Sequence, residues 1–173
     1  MRLIRLPFKT LLALLIGVMA LLATTQPASS ELPIAERVVV DKSQRWLRLY
    51  AGETVLREFP IALGGSPTGH KQREGDNRTP EGRYTLDVRN TNSDYFLSIR
   101  ISYPSPADLD SAAARGVPAG GQIMIHGQPN TPRYSPRVYA TSDWTNGCIA
   151  VSNAAMIDIW LMTRTGTPIE ILP

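Results

Sequence analysis

The sequence is short of the side chains that most often carry polar chemistry. It holds one cysteine, Cys148, and two histidines, His70 and His126. A single cysteine cannot close an intramolecular disulfide, so cross-links are excluded as a source of stability. Three such residues without close spacing make a poor metal site, and no cofactor motif is read. Charge of one sign is also scarce. Of 18 basic residues, Arg2, Arg5 and Lys9 precede Glu31, the first acidic residue, and the remaining ones balance the 15 acidic side chains. A nucleic-acid partner is therefore not expected, because phosphate binding needs a clustered basic excess. No repeat of fixed period is present, which excludes solenoids and propellers.

What is present is enough for one domain with a core: 173 residues, 43% hydrophobic and 19% charged, a balance that excludes wholesale disorder. Arg2, Arg5 and Lys9 lead into a thirteen-residue apolar run, Leu11 to Ala23, followed by small and polar residues to Ser30. This is a secretory signal pattern, and the run is short of the roughly 20 residues that span a bilayer. A retained anchor is the alternative. Residues 1–30 are read as signal peptide and the start of a linker, 31–35 as linker, and 36–173 as the folded domain. Export to the periplasm or cell envelope is the expectation.

The folded part reads as mainly β. Arg37 to Val40, Trp46 to Tyr50 and Thr54 to Leu63 form a meander, with further strands at Arg83 to Val88, Phe96 to Ser102, Gln122 to His126 and Thr167 to Leu172. Two short helices are expected. The first has Ser105 as N-cap, Pro106 at its first position and Gly116 as its stop; the second starts at Ser152 or Asn153, buries Met156, Ile159 and Trp160, and stops at Gly166. Two long loops remain, Gly64 to Gly82 and Gly127 to Trp144. The first superficially matches a phosphate loop, but its lysine is one position late and no Ser or Thr follows. His70 is expected to be exposed there, without a catalytic role. The second loop, with three prolines, Tyr134, Tyr139, Arg133 and Arg137, is long enough to be a lid or a binding loop.

These loops bracket the chemistry. Ile123-Met124-Ile125-His126-Gly127 is an apolar strand ending in a histidine, and Trp144-Thr145-Asn146-Gly147-Cys148-Ile149 is a turn feeding an apolar run. If the loop between them folds back, His126 meets Cys148. A free thiol is only a few per cent thiolate at neutral pH, and a neighbouring imidazole activates it. Gly147 permits a tight turn that aims the Gly147 and Cys148 amides at one point, an oxyanion hole.

The segments Ile125-His126-Gly127 and Thr145-Asn146-Gly147-Cys148-Ile149 resemble the signature of the L,D-transpeptidase catalytic domain. Gly75-Asp76-Asn77-Arg78-Thr79-Pro80-Glu81-Gly82-Arg83-Tyr84 resembles that family's G-D-x-x-T-P-E-G-x-Y loop, and Val38 to Tyr50 and Gly166 to Ile171 its opening hairpin and closing strand. Two positions depart from the common pattern: Asn146 stands where many members have histidine, and Ala150 where they have arginine or asparagine. The resemblance implies a mainly β, sandwich-like domain with short helices, acting on peptidoglycan stem peptides without a metal or cofactor. It implies Cys148 as nucleophile, His126 as base, and Gly147 with Cys148 as oxyanion donors. The Gly127 carbonyl orients the imidazole in this reading, and Gly127, Trp144, Thr145 and Asn146 are the candidate substrate contacts. For Trp144 a core position stands as an equal reading, and for Thr145 a turn-stabilising hydroxyl is the plainer one. Arg133 and Arg137 are either carboxylate holders or solvated loop residues. The acceptor is left open between a wall stem, a D-amino acid, a wall-linked protein amine and water. A hydrolase such as an L,D-carboxypeptidase and an inactive wall-binding module are the competing functions.

Overall fold

The computed structural model describes residues 32–173. The leader and the export it implies concern residues that lie outside this range. Among the described residues no helix is long and apolar enough to cross a membrane. Eight strands form the framework: β1 (Arg37–Asp41), β2 (Trp46–Ala51), β3 (Thr54–Pro60), β4 (Gly82–Ser93), β5 (Phe96–Ile101), β6 (Met124–His126), β7 (Ile149–Ala150) and β8 (Pro168–Leu172). Three helices accompany them: α1 (Pro106–Ala114), α2 (Pro136–Thr141) and α3 (Asn153–Met162). The architecture is thus mainly β with short helices. Hydrogen bonding runs in the order β3-β2-β1-β8-β4-β5-β6-β7.

β1 and β2 alternate buried and half-buried residues, and so does the centre of β8. The period of two sends Val38, Val40, Leu47, Leu49, Ile169 and Ile171 to one face. There they join Met156, Ile159 and Met162 of α3 and Ile99, Ile101, Ile125 and Ile149 from the other strands in one core. Ala35, at the expected edge of the domain, is already buried and donates its N–H to the Met162 carbonyl at 2.7 Å. β3 lies at the sheet margin and is mostly exposed, and its Arg57 and Glu58 are the kind of charge that blunts an open edge.

β4 belongs to two ladders. Gly82–Thr85 pairs with β8, whereas Leu86–Ser93 pairs with β5 across two register shifts. The strand runs five residues past the expected Val88, because Arg89 to Ser93 is polar and reads as loop. Beyond it the sheet narrows to β6 and β7, which pair in parallel and carry His126 opposite Ala150.

Local chemistry explains the helix boundaries. At α1, Ser105 accepts from the Asp108 N–H while the Asp108 carboxylate accepts from the Ser105 N–H, a reciprocal capping box. At α3, Ser152 accepts from the Ala155 N–H. That helix ends at Met162, short of Gly166, because the Thr163 hydroxyl takes the Ile159 carbonyl at 2.6 Å and closes the last turn. Trp160 is only partly buried; its indole lies under the Arg89 guanidinium, 4.1 Å from the ring centre. The six-residue α2 falls inside what reads as a proline-rich loop.

Polar knots give the 64–82 loop its shape in place of secondary structure. Lys42 is 2% exposed, and its ammonium donates to the Gly69 and Thr79 carbonyls and to Glu81 at 2.7 Å. Lys71, 3% exposed, donates to Asp76 at 2.8 Å and to the Arg73 carbonyl. His70 departs from the expected exposed position. It is half-buried, accepts the Glu81 N–H at Nδ1, and places Nε2 3.0 Å from Asp108. Since Nδ1 accepts, Nε2 carries the proton and donates to that carboxylate.

Asp76 anchors the loop electrostatically. Burial pushes its pKa up, but the Lys71 ammonium and the Gln72, Arg78 and Arg73 amides outweigh it and hold the value near about 2. A lowered carboxylate pKa stabilises the fold fully above the ordinary range near 4, and that stability is lost as pH falls towards 2. Replacing Asp76 with Asn removes the charge that answers buried Lys71. Urea denaturation at pH 7 is expected to show a loss of about 2 to 4 kcal/mol, with a weaker dependence on pH between 4 and 2 than in the parent. Unchanged stability would refute this role for the pair.

Candidate active site

β5, β6 and the turn before β7 converge on a cavity of about 250 Å3. His126, Trp144, Thr145, Asn146 and Cys148 line it together with Ser98, Gln122, Met124 and the hairpin residues Ser93 and Tyr95. The fold thus brings together five of the seven residues singled out by sequence. The other two, Gly127 and Gly147, are buried in its supports.

The turn that carries Cys148 is fixed by backbone contact. Thr145 donates its N–H to the Leu63 carbonyl, accepts the Gly65 N–H, and bonds through its hydroxyl to the Cys148 carbonyl at 2.8 Å. Gly147 has φ +124°, and a Cβ there would stand 2.6 Å from the Arg78 carbonyl oxygen. A Cβ on Gly64 would stand 2.1 Å from the Asn77 carbonyl oxygen and 2.9 Å from the Gly147 Cα. The 64–82 loop therefore lies directly against the turn, and only glycine fits at both positions.

This packing changes the expected oxyanion donors. The Gly147 N–H points at the Thr145 hydroxyl, 3.1 Å away, and is committed to the turn. The Cys148 N–H, by contrast, has no acceptor among the described residues. Gly127 also differs from its expected place among substrate contacts. It packs against Phe96 and Asn153, and its carbonyl lies 2.7 Å from His126 Nδ1. A carbonyl only accepts, so Nδ1 bears the proton and Nε2 keeps its lone pair.

Burial pushes the His126 imidazole below its ordinary pKa, although the Gly127 hydrogen bond opposes this. Burial likewise pushes the Cys148 thiol up, against the Met124 backbone hydrogen bond and the Lys71 charge. The thiol is 3.5 Å from the Gln122 carbonyl. Both shifts favour the neutral forms, a thiol and an imidazole, over a thiolate and an imidazolium. Proton removal then accompanies attack on a carbonyl.

Aromatic rings enclose the imidazole. The Tyr95 ring centre is 4.6 Å from that of His126, and Trp144 meets it edge-on at 5.6 Å. Tyr139 of α2 packs on Trp144 at 5.0 Å. Trp144 is thus both a cavity wall and a packed residue. Asp143 fixes the position of Trp144: it binds Arg45 through both oxygens and accepts the Leu63 N–H at 2.8 Å. Tyr95, Ser98 and Lys71 escape sequence reasoning because each lies far along the chain from the motif, and Asp143, which adjoins it, because its partners Arg45 and Leu63 do. The one available signal was an aromatic following the polar run Asn90 to Asp94.

Residues 35–171 match the YkuD family model, described as the L,D-transpeptidase catalytic domain. The chain belongs to the L,D-transpeptidase catalytic domain family. It is 33% identical over 96 residues to "Putative L,D-transpeptidase YafK" of Escherichia coli (strain K12), a match covering 52% of this chain and 37% of that protein. The fold is similar to the helical cell shape determining protein Pgp2 from Campylobacter jejuni, with TM-score 0.61, 24% identity, and coverage of 83% of this chain and 51% of that one. It is also similar to Bdellovibrio bacteriovorus Bd1075, with TM-score 0.54, 25% identity, and coverage of 83% and 52%. The chain thus spans about half the length of these solved chains.

Two measurements test the site. Alkylation of Cys148 by iodoacetamide is expected to rise with pH only above about 8.5, the ordinary thiol range, because the thiolate is disfavoured. A reactive plateau extending below pH 7 would instead reveal a thiolate–imidazolium pair. Gly147→Ala is expected to cost about 1 to 3 kcal/mol in urea denaturation, since it forces a side chain into the Arg78 carbonyl at positive φ. Parent-like stability would show that the loop yields.

Proposed function

We propose that this protein is a cysteine-dependent L,D-transpeptidase acting on peptidoglycan stem peptides. The observation that carries the reading is the His126 tautomer: Nδ1–H is held by the Gly127 carbonyl, and the basic Nε2 belongs to a ring lining the same cavity as the Cys148 thiol. Nε2 takes the thiol proton as Sγ attacks the carbonyl of stem residue three. The Cys148 N–H faces the oxygen that gains charge. Collapse breaks the bond to D-alanine, whose amine leaves with the proton from His126, and a thioester remains. An acceptor amine then attacks the thioester carbonyl, returns its proton through His126 to sulfur, and completes a new amide. The thioester conserves most of the free energy of the amide it replaced, so no nucleotide is required.

Tyr139 and Trp144 pack the 127–144 loop over the His126 side of the cavity. This cover favours an amine arriving by a defined path over bulk water. The leader-like N-terminus supports work in the cell envelope, and the likeness to a cell shape determining protein fits a wall substrate. Asn146 is exposed at the cavity, whereas Ala150 is buried opposite His126 and paired with Ala62. We assign these departures to a subgroup whose substrate contacts differ at Asn146.

Incubation with a tetrapeptide donor and excess D-amino acid, followed by mass spectrometry, is expected to give mainly exchanged product. Cys148→Ser should fall to background, and His126→Asn should lose about 10² to 10⁴-fold in rate with the fold retained. Tripeptide alone across a wide acceptor range would make the protein a hydrolase. Parent-like turnover by the serine variant would overturn the nucleophile assignment.

A further inference from the structure

Along β5, Ile99 and Ile101 turn into the core, so by the alternation of a strand Ser98 faces the other way, into the cysteine cavity. There it stands directly opposite His126, its partner in the β5–β6 ladder. The Gly127 N–H donates to the Leu97 carbonyl at 3.1 Å, which makes Ser98 and His126 a non-hydrogen-bonded pair. Side chains stand closest in such pairs, with Cβ atoms about 5 Å apart. Ser98 is 1% exposed, yet its Oγ has no hydrogen-bond partner among the described residues.

A buried hydroxyl without a partner is destabilising, and an alanine methyl would occupy the same place without that cost. Ser98 is therefore left with a bond that a group entering the cavity can complete. The reaction proposed above brings one such group. The substrate carbonyl is met by the Cys148 N–H, and the lone pair of the scissile nitrogen by His126, but the N–H of that nitrogen has no acceptor. Trp144 Nε1, the cavity's other unpartnered buried atom, only donates. The Thr145 hydroxyl is committed to the turn, and the side-chain amides of Gln122 and Asn146 belong to exposed residues. A serine hydroxyl accepts as well as donates, and this one adjoins the imidazole that exchanges a proton with the same nitrogen.

We infer that Ser98 is a further catalytic residue of this site, whose Oγ accepts the N–H of the nitrogen that leaves, and later arrives at, the acyl group on Cys148. The inference rests on the stem-peptide reading above. With its N–H held by Ser98, the nitrogen of the tetrahedral intermediate turns its lone pair towards His126 Nε2. As the C–N bond breaks, that lone pair takes the proton from His126, and D-alanine departs with both hydrogens on its amine. An acceptor amine reverses the steps. Its lone pair forms the new C–N bond, one N–H proton passes to Nε2, and a second N–H is donated to Ser98.

An ester donor separates this role from a structural one, because a stem peptide ending in D-lactate has an oxygen where the scissile N–H would be. Release of D-alanine from a tetrapeptide, and of D-lactate from its ester counterpart, is followed by mass spectrometry with the full chain. Ser98→Ala is expected to lower the amide-to-ester rate ratio about tenfold, the scale of one lost hydrogen bond. Ser98→Thr, which keeps the hydroxyl, should hold the ratio near that of the parent. Should alanine unfold the strand, Ser98→Val against Ser98→Thr makes the same comparison at nearly equal shape, with the loss expected for valine alone. An unchanged ratio, whether from no loss or from equal loss on both donors, overturns the role of Ser98 and leaves the stem-peptide reading standing. Failure of the parent to release D-alanine from the tetrapeptide overturns both.

Discussion

Everything at this site depends on the close approach of two backbones. The turn carrying Cys148 and the 64–82 loop meet where Gly64 and Gly147 face the Asn77 and Arg78 carbonyls, at separations that leave no room for a Cβ. Such contact needs a rigid partner, and the loop has no helix or strand to supply one. Buried Lys42 and Lys71 supply it instead, by tying Gly69, Thr79, Glu81, Arg73 and Asp76 into one body. A buried ammonium is costly unless it is fully bonded, and here each cation has partners that also define the loop's path.

The second constraint is desolvation. A cavity walled by Tyr95, Trp144 and Met124 disfavours charge on both His126 and Cys148. Both groups are thereby pushed toward their neutral forms, and the Gly127 carbonyl sets the imidazole tautomer without a carboxylate. A neutral thiol is also less exposed to adventitious oxidation than a standing thiolate.

The 127–144 loop illustrates how support reaches the site from elsewhere. Asp143 is held by Arg45, whose own backbone at φ 59° lies in the turn between β1 and β2, and Trp144 follows Asp143 directly. Tyr139 then packs on Trp144 from α2. The wall of the cavity is thereby joined to the opening hairpin of the domain, nearly a hundred residues away in sequence.

The sequence by itself determined the strand framework, because β1, β2 and β8 carry a period-two apolar pattern, and it determined α1 and α3 through Ser105, Asp108 and Ser152, whose capping acts within a few residues. It also singled out Cys148 and His126, since the chain has a single cysteine and one histidine at the end of an apolar strand, and both line one cavity. Tertiary structure alone decided the rest. That His70 is locked to Asp108, and that Tyr95 and Asp143 shape the cavity, depend on contacts between distant segments. Such contacts leave no local pattern. A hydrogen bond between residues 98 positions apart is fixed by how the sheet orders its strands, and the charge states of His126 and Cys148 are fixed by the burial that ordering creates.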